Sequence, residues 1–110
     1  MARDGDRDIT PGVLRTRIAD GRSPVVLDVR SHGEFAAGHV PGALHVPFWA
    51  ILWRAGRLPA SAADSVVVYC GHGPRARIAR VLLHLRGFSR VSLLAGHMSG
   101  WRRAGLPEES

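Results

Sequence analysis

Apolar residues in this chain fall into two kinds of run. Short, nearly continuous apolar stretches alternate with longer ones in which apolar residues recur every three or four positions. Val25-Val26-Leu27-Asp28-Val29 and Ser65-Val66-Val67-Val68-Tyr69 are of the first kind. Both are β-rich and almost uninterrupted, as expected of strands covered on both faces of a sheet. Val91 to Leu94 repeats the pattern, and Ala43 to Val46 predicts a further short strand. Between them lie helical patterns. Thr10 caps and Pro11 suits the first turn of a helix whose Val13, Leu14 and Ile18 share a face, ended by Asp20-Gly21. Ser31, with Glu34 three residues on, forms a capping box for a brief helix that Gly38 stops. Phe48 to Ala55 places Phe48 with Leu52, and Trp49 with Trp53, at four-residue spacing. Arg75 to Arg86 carries Ile78, Ala79, Leu82, Leu83 and Leu85 at helical spacing, closed by Gly87, and a last short helix runs from Met98 to Ala104.

Strands alternating with helices imply parallel pairing in an α/β layer fold. In such sheets ligands bind beyond the carboxyl ends of the strands. The lone cysteine, Cys70, follows the second strong strand directly and so occupies one of these ends.

Length and composition narrow the setting. The chain has 110 residues, enough for one domain with a single core, with the domain itself read as 9–107 and residues 1–8 and 108–110 as flexible ends. An apolar fraction of 45% and a charged fraction of 22% are ordinary for a globular domain. Fifteen basic against nine acidic residues give a net charge of +6, and every basic residue is arginine. Composition bias accounts for the absence of lysine, while the net charge itself attracts anions. Nucleic acid is not an expected partner, because the arginines are scattered and no aromatic stacking motif interleaves them. A single cysteine excludes an internal disulfide and an all-cysteine metal site. The N-terminal residues lack a signal-peptide core, and the longest apolar run, Val46 to Trp53, contains Pro47 and is too short to span a bilayer. A cytoplasmic protein with no membrane partner is expected.

The chemistry concentrates in Cys70-Gly71-His72-Gly73-Pro74-Arg75, a strand-to-helix turn. Two glycines permit a tight loop whose amides converge on one point. The following helix adds the positive end of its dipole, and Arg75 adds a fixed charge. All three favour thiolate over thiol. An amide-cradled thiolate can attack the outer sulfur of a donor, and the same donors would hold the anionic persulfide that results. The competing reading, a buried cysteine that merely packs, is the usual one for an arbitrary cysteine. The glycine turn and the arginine weigh against it here.

These residues resemble the rhodanese domains. The active loop of that family follows Cys-x-x-Gly-x-Arg, which Cys70, Gly73 and Arg75 match. Val26-Leu27-Asp28-Val29-Arg30, with Glu34-Phe35 and Gly38-His39-Val40-Pro41-Gly42-Ala43, is similar to its first signature. Leu94-Ala95-Gly96 through Gly100-Trp101 and Gly105-Leu106-Pro107 is similar to its closing one. The resemblance implies a three-layer α/β domain with a central, mainly parallel five-stranded sheet flanked by helices. It implies a sulfurtransferase that moves sulfane sulfur from a small donor such as thiosulfate, through a Cys70 persulfide, to cyanide, a thiol or a sulfur-accepting protein. No cofactor is implied. Gly71, His72, Gly73, Pro74 and Arg75 would bind the substrate, and Asp28, Arg30 and His39 would support the structure.

Other residues carry less. Asp28 and Arg30 suit an ion pair that accepts loop amides. Glu34 and His39 hint at a metal, but no third ligand has sensible spacing, so no metal is expected; His39 is read as fixing the loop before Pro41. His72 is either a donor-binding group or silent. Arg77 and Arg80 read as a solvated face, the Trp49/Trp53 pair as packing, and Trp101 as a core anchor. Two departures bear on the donor: Gly71 stands where many thiosulfate-using relatives carry a basic residue, and Ala76 where many carry a serine. Two rival functions remain. A cysteine phosphatase needs five residues between cysteine and arginine, and here there are four. A non-catalytic binding module typically lacks the cysteine.

Overall fold

The computed structural model describes residues 8–53 and 58–110. Four parallel strands form one sheet in the order β2-β1-β3-β4, where β1 is Val25–Asp28, β2 Leu44–His45, β3 Val66–Tyr69 and β4 Val91–Leu93. The helices are α1 Pro11–Ala19, α2 His32–Ala37, α3 Phe48–Leu52, α4 Pro74–Leu85 and α5 His97–Arg103. The resemblance implied a fifth strand. Its place beside β4 is taken, among the described residues, by one bridge: Ile9 pairs in parallel with Leu94, donating to Leu93 O at 2.9 Å and accepting from Ala95 N at 2.8 Å. The run cannot continue past it, because Thr10 is already the N-cap of α1 and Pro11 its first residue.

Strand periodicity sorts the core into two layers. Leu27, Val66 and Val68 point to one face, where they meet Ile51 of α3 and Ala76, Ala79 and Leu83 of α4. Val26, Val67 and Tyr69 point to the other, against Leu14 of α1 and Met98 and Trp101 of α5. Cys70 continues the parity of Val66 and Val68, so its side chain goes to the α4 layer. Ser31 and Glu34 complete the expected capping box.

Several apolar residues read as packed are not. Trp49 is 58% and Trp53 76% exposed, and Val13, Ile78 and Leu85 also lie on the surface. Helix α3 buries Ala50 and Ile51 instead, which turns the tryptophan side away from the sheet. The expected extension of that helix to Ala55 lies outside the described residues beyond Trp53. The C-terminal residues, expected to be loose, are tied to the body. His39 and Glu109 exchange backbone hydrogen bonds at 2.8 and 2.9 Å, Gly42 N donates to Glu109 Oε1 at 2.7 Å, and Trp101 Nε1 donates to Pro107 O at 2.9 Å. The N-terminal expectation falls on residues 1–7, outside the described residues, and on the exposed Asp8.

Candidate active site

The strand order creates a crevice. From β1 the chain crosses outward to β2, and from β3 it crosses the other way to β4. The carboxyl ends of β1 and β3 are therefore the switch point at which open α/β sheets bind ligands. Arg30 and Glu34 follow β1 there, and Cys70 follows β3. A cleft of about 370 Å³ opens beside them, lined among others by Arg30, Glu34, His72, Arg75, Arg102 and Arg103. Another, of about 360 Å³, lies at the amino ends of the strands around Ile9, Val66 and Ser92, away from the cysteine.

Cys70 is fully buried. The turn after it needs Gly73, whose φ of 131° lies where side chains are strained. That conformation directs the Gly73 amide back to Cys70 Sγ at 3.0 Å. The Ala76 amide, in the first turn of α4, also donates to the sulfur. Burial is the largest single influence and pushes the thiol up. Hydrogen bonds from the His97 side chain and from the Ala76 and Gly73 amides, together with the charge on His97, outweigh it and bring the thiol down to about 7. The first turn of α5 closes the loop from the other side: Met98 N donates to Cys70 O at 3.0 Å and Ser99 N to Gly71 O at 3.3 Å.

Arg75, expected as a fixed charge near Cys70, is also held in an ion pair. Its Nη1 and Nη2 donate to Glu34 Oε1 and Oε2 at 2.7 and 3.2 Å. Arg75 senses the Cys70 anion, but it does so from within this ion pair, and the groups that hold the thiol down are the amides and His97. The bond from Arg75 in turn keeps the Glu34 carboxyl at about 2. Glu34 thus serves the α2 capping box and a clamp between the first turns of α2 and α4.

Gly71 and the exposed His72 line the cleft, while Pro74 occupies the first turn of α4 on the surface. Asp28 and Arg30 form a buried pair, with Arg30 Nη2 donating to Asp28 Oδ2 and to Gly38 O, both at 2.7 Å. The guanidinium lies 5.7 Å from the centre of the Tyr69 ring, and the Tyr69 hydroxyl accepts from Val40 N at 3.1 Å. His39 stands apart from the cleft residues, stacked on Phe35 with its Nδ1 2.8 Å from Phe35 O. Arg102 and Arg103 of α5 line the cleft, whereas Arg77 and Arg80 of α4 do not. Sequence reasoning missed these two and His97. The adjacent Arg102-Arg103 pair was a visible signal; nothing local in the sequence linked position 97 to position 70.

A family model for the rhodanese-like domain matches residues 10–104. The chain belongs to the rhodanese-like domain family. This rhodanese-like domain is 36% identical to a sulfurtransferase of Allochromatium vinosum over 94 residues, covering 86% of each chain. It is 40% identical to the thiosulfate sulfurtransferase GlpE of Pseudomonas fluorescens over 80 residues, 71% of this chain and 70% of that one. Among solved structures, the human single-domain sulfurtransferase TSTD1 superposes with a TM-score of 0.76 at 28% identity, covering 87% of this chain and 95% of the other. No helix among the described residues is long and apolar enough to cross a membrane.

Proposed function

We propose that this domain is a sulfurtransferase that carries sulfane sulfur on Cys70. The observation that carries the reading is the amide cradle. The Gly73 N–H lies 3.0 Å from a sulfur whose thiol is held to about 7, at a strand-end crevice flanked by arginines. The Cys70 thiolate attacks the outer sulfur of a donor such as thiosulfate. A Cys–S bond to that sulfur forms, the donor's S–S bond breaks, and sulfite leaves with the electron pair. The persulfide is again an anion and suits the same donors. No second cysteine exists in the chain to resolve it. The outer sulfur therefore leaves to an external nucleophile, either cyanide or a thiolate from a small molecule or a protein, and the Cys70 thiolate is regenerated.

The Ala76 amide supplies a bond where a serine hydroxyl would otherwise serve, which supports persulfide formation. With Gly71 and Ala76 offering no side-chain donor, thiosulfate is expected to be a slower donor than a polysulfide. The four-residue spacing from Cys70 to Arg75 disfavours the phosphatase reading. A reducing, cytoplasmic compartment suits a reaction that depends on a free thiol. Thiocyanate production from cyanide with thiosulfate or polysulfide tests the proposal. Turnover with either donor is expected, and hydrolysis of an aryl phosphate without thiocyanate production would replace it with a phosphatase.

A further inference from the structure

His97 occupies a position that its backbone does not favour. It is the one described non-glycine residue with positive φ, at 54°. A glycine there is free of strain, whereas a side chain in this region is strained. The ring is nonetheless buried, with the residue 6% exposed. Such an outlier at a candidate site calls for a role.

The ring is aimed at Cys70. Its Nδ1 accepts the Cys70 backbone N–H at 3.3 Å, and its side chain is among the groups that lower the Cys70 thiol. Accepting an N–H leaves Nδ1 with its lone pair turned to Cys70, and the proton of the neutral ring sits on Nε2. At 3.3 Å the amide bond is long, so it is cheaply exchanged for a charge-assisted one. On the other side, Nε2 lies 3.2 Å from where a Cβ on Gly73 would stand, and Arg77 Nη2 lies 3.7 Å from the same point.

We propose that His97 is the proton partner of Cys70. The S–H bond of Cys70 breaks with its electron pair left on sulfur, and Nδ1 of His97 takes the proton. The ring then stays as an imidazolium whose Nδ1–H donates to the sulfur anion. No other reactant is needed. The inference rests on the sulfurtransferase reading only for its purpose, since the proton transfer itself precedes any sulfur donor.

The groups facing the ring set the sign of the effect. Arg77 Nη2 from α4 and His97 Nε2 approach the same point beside Gly73, and Arg103 from α5 reaches within 3.6 Å of a Cβ position on Gly96, the residue before His97. Both oppose a second positive charge. The anion on Cys70 favours it, while Arg75 is engaged with Glu34.

The experiment uses the full chain and three forms: wild type, His97→Gly and His97→Asn. Glycine suits the positive φ, so that variant removes the ring without adding backbone strain. Asparagine tolerates the same backbone and keeps an acceptor for the Cys70 amide, but it takes no proton. The readout is thiolate ultraviolet absorbance and iodoacetamide alkylation against pH, neither of which needs a sulfur donor. Both variants are expected to raise the Cys70 midpoint by about one unit and so to cut alkylation at neutral pH about fivefold, from about half thiolate to about a tenth. An unchanged midpoint in His97→Gly, or a wild-type midpoint in His97→Asn, overturns the proposal; the second result assigns His97 to holding the amide alone. A wild type that titrates as expected but forms no persulfide overturns the sulfurtransferase reading and leaves the His97 assignment standing.

Discussion

Gly73→Ala probes the cradle from the side opposite His97. A Cβ at Gly73 would stand 3.2 Å from His97 Nε2 and 3.5 Å from its Cδ2, on a backbone with φ of 131°. The loop must shift, and the amide that donates to Cys70 Sγ at 3.0 Å moves with it. A hydrogen bond to a charged acceptor contributes about 1.5–3 kcal/mol, and one pKa unit corresponds to about 1.4 kcal/mol. Losing this bond raises the thiol by about one to two units, from about 7 towards or beyond the ordinary cysteine value of ~8.5. At neutral pH the thiolate falls from about half of the molecules to a few per cent. The backbone cost lowers stability by about 1–3 kcal/mol, too little to unfold a domain of ordinary stability. Alkylation rate against pH, followed by intact mass, reads the midpoint, and a urea melt confirms folding. A folded variant whose midpoint stays near the wild-type value would refute the claim that this amide holds the anion.

Other perturbations test the surrounding frame. Asp28→Asn leaves the guanidinium of Arg30, 3% exposed, without its counter-charge, and should cost about 3–5 kcal/mol by urea unfolding; a cost under ~1 kcal/mol contradicts the buried pair. Glu34 has its folded pKa depressed to about 2, so its contribution is present above the unfolded value near ~4.5 and is lost as pH falls towards 2. Glu34→Gln should therefore lower stability at neutral pH, by under ~1 kcal/mol because both partners are 38% exposed, and match wild type near pH ~2 in a pH series of melts. Trp101→Ala should cost about 3–5 kcal/mol, while Trp53→Ala, at a residue 76% exposed, should stay within about 0.5 kcal/mol in the same assay.

The parts legible in the sequence are those set by local periodicity and local chemistry. The valine-rich strands read correctly because a parallel strand is covered on both faces and needs no polar alternation. Thr10, Ser31 and Gly38 marked helix ends because capping is decided within a few residues. Cys70 was placed at its strand end for the same reason. The misreadings arose where a long-range partner decides the outcome. The four-residue spacing of Trp49 and Trp53 is equally consistent with the inner and the outer side of a helix, and Ala50 and Ile51 took the inner one. Arg75 was read as a fixed charge close to the sulfur, but its ion pair was not foreseen, because nothing in its neighbourhood reveals Glu34, which lies 41 residues away in sequence. His97 is 27 residues from Cys70, and only the positive φ of its backbone and the return of α5 onto the loop bring the two together. The closing residues read as loose because their polarity is that of a free end, whereas Glu109 is fixed by backbone pairing with His39.

The central claim is that Cys70 carries sulfur, and intact mass after incubation with thiosulfate or a polysulfide tests it most directly. The account predicts a gain of one sulfur atom per chain, removed by cyanide with release of thiocyanate and absent in Cys70→Ser. A folded wild-type protein that gains no sulfur from either donor, or a Cys70→Ser variant that gains it equally, would contradict the account.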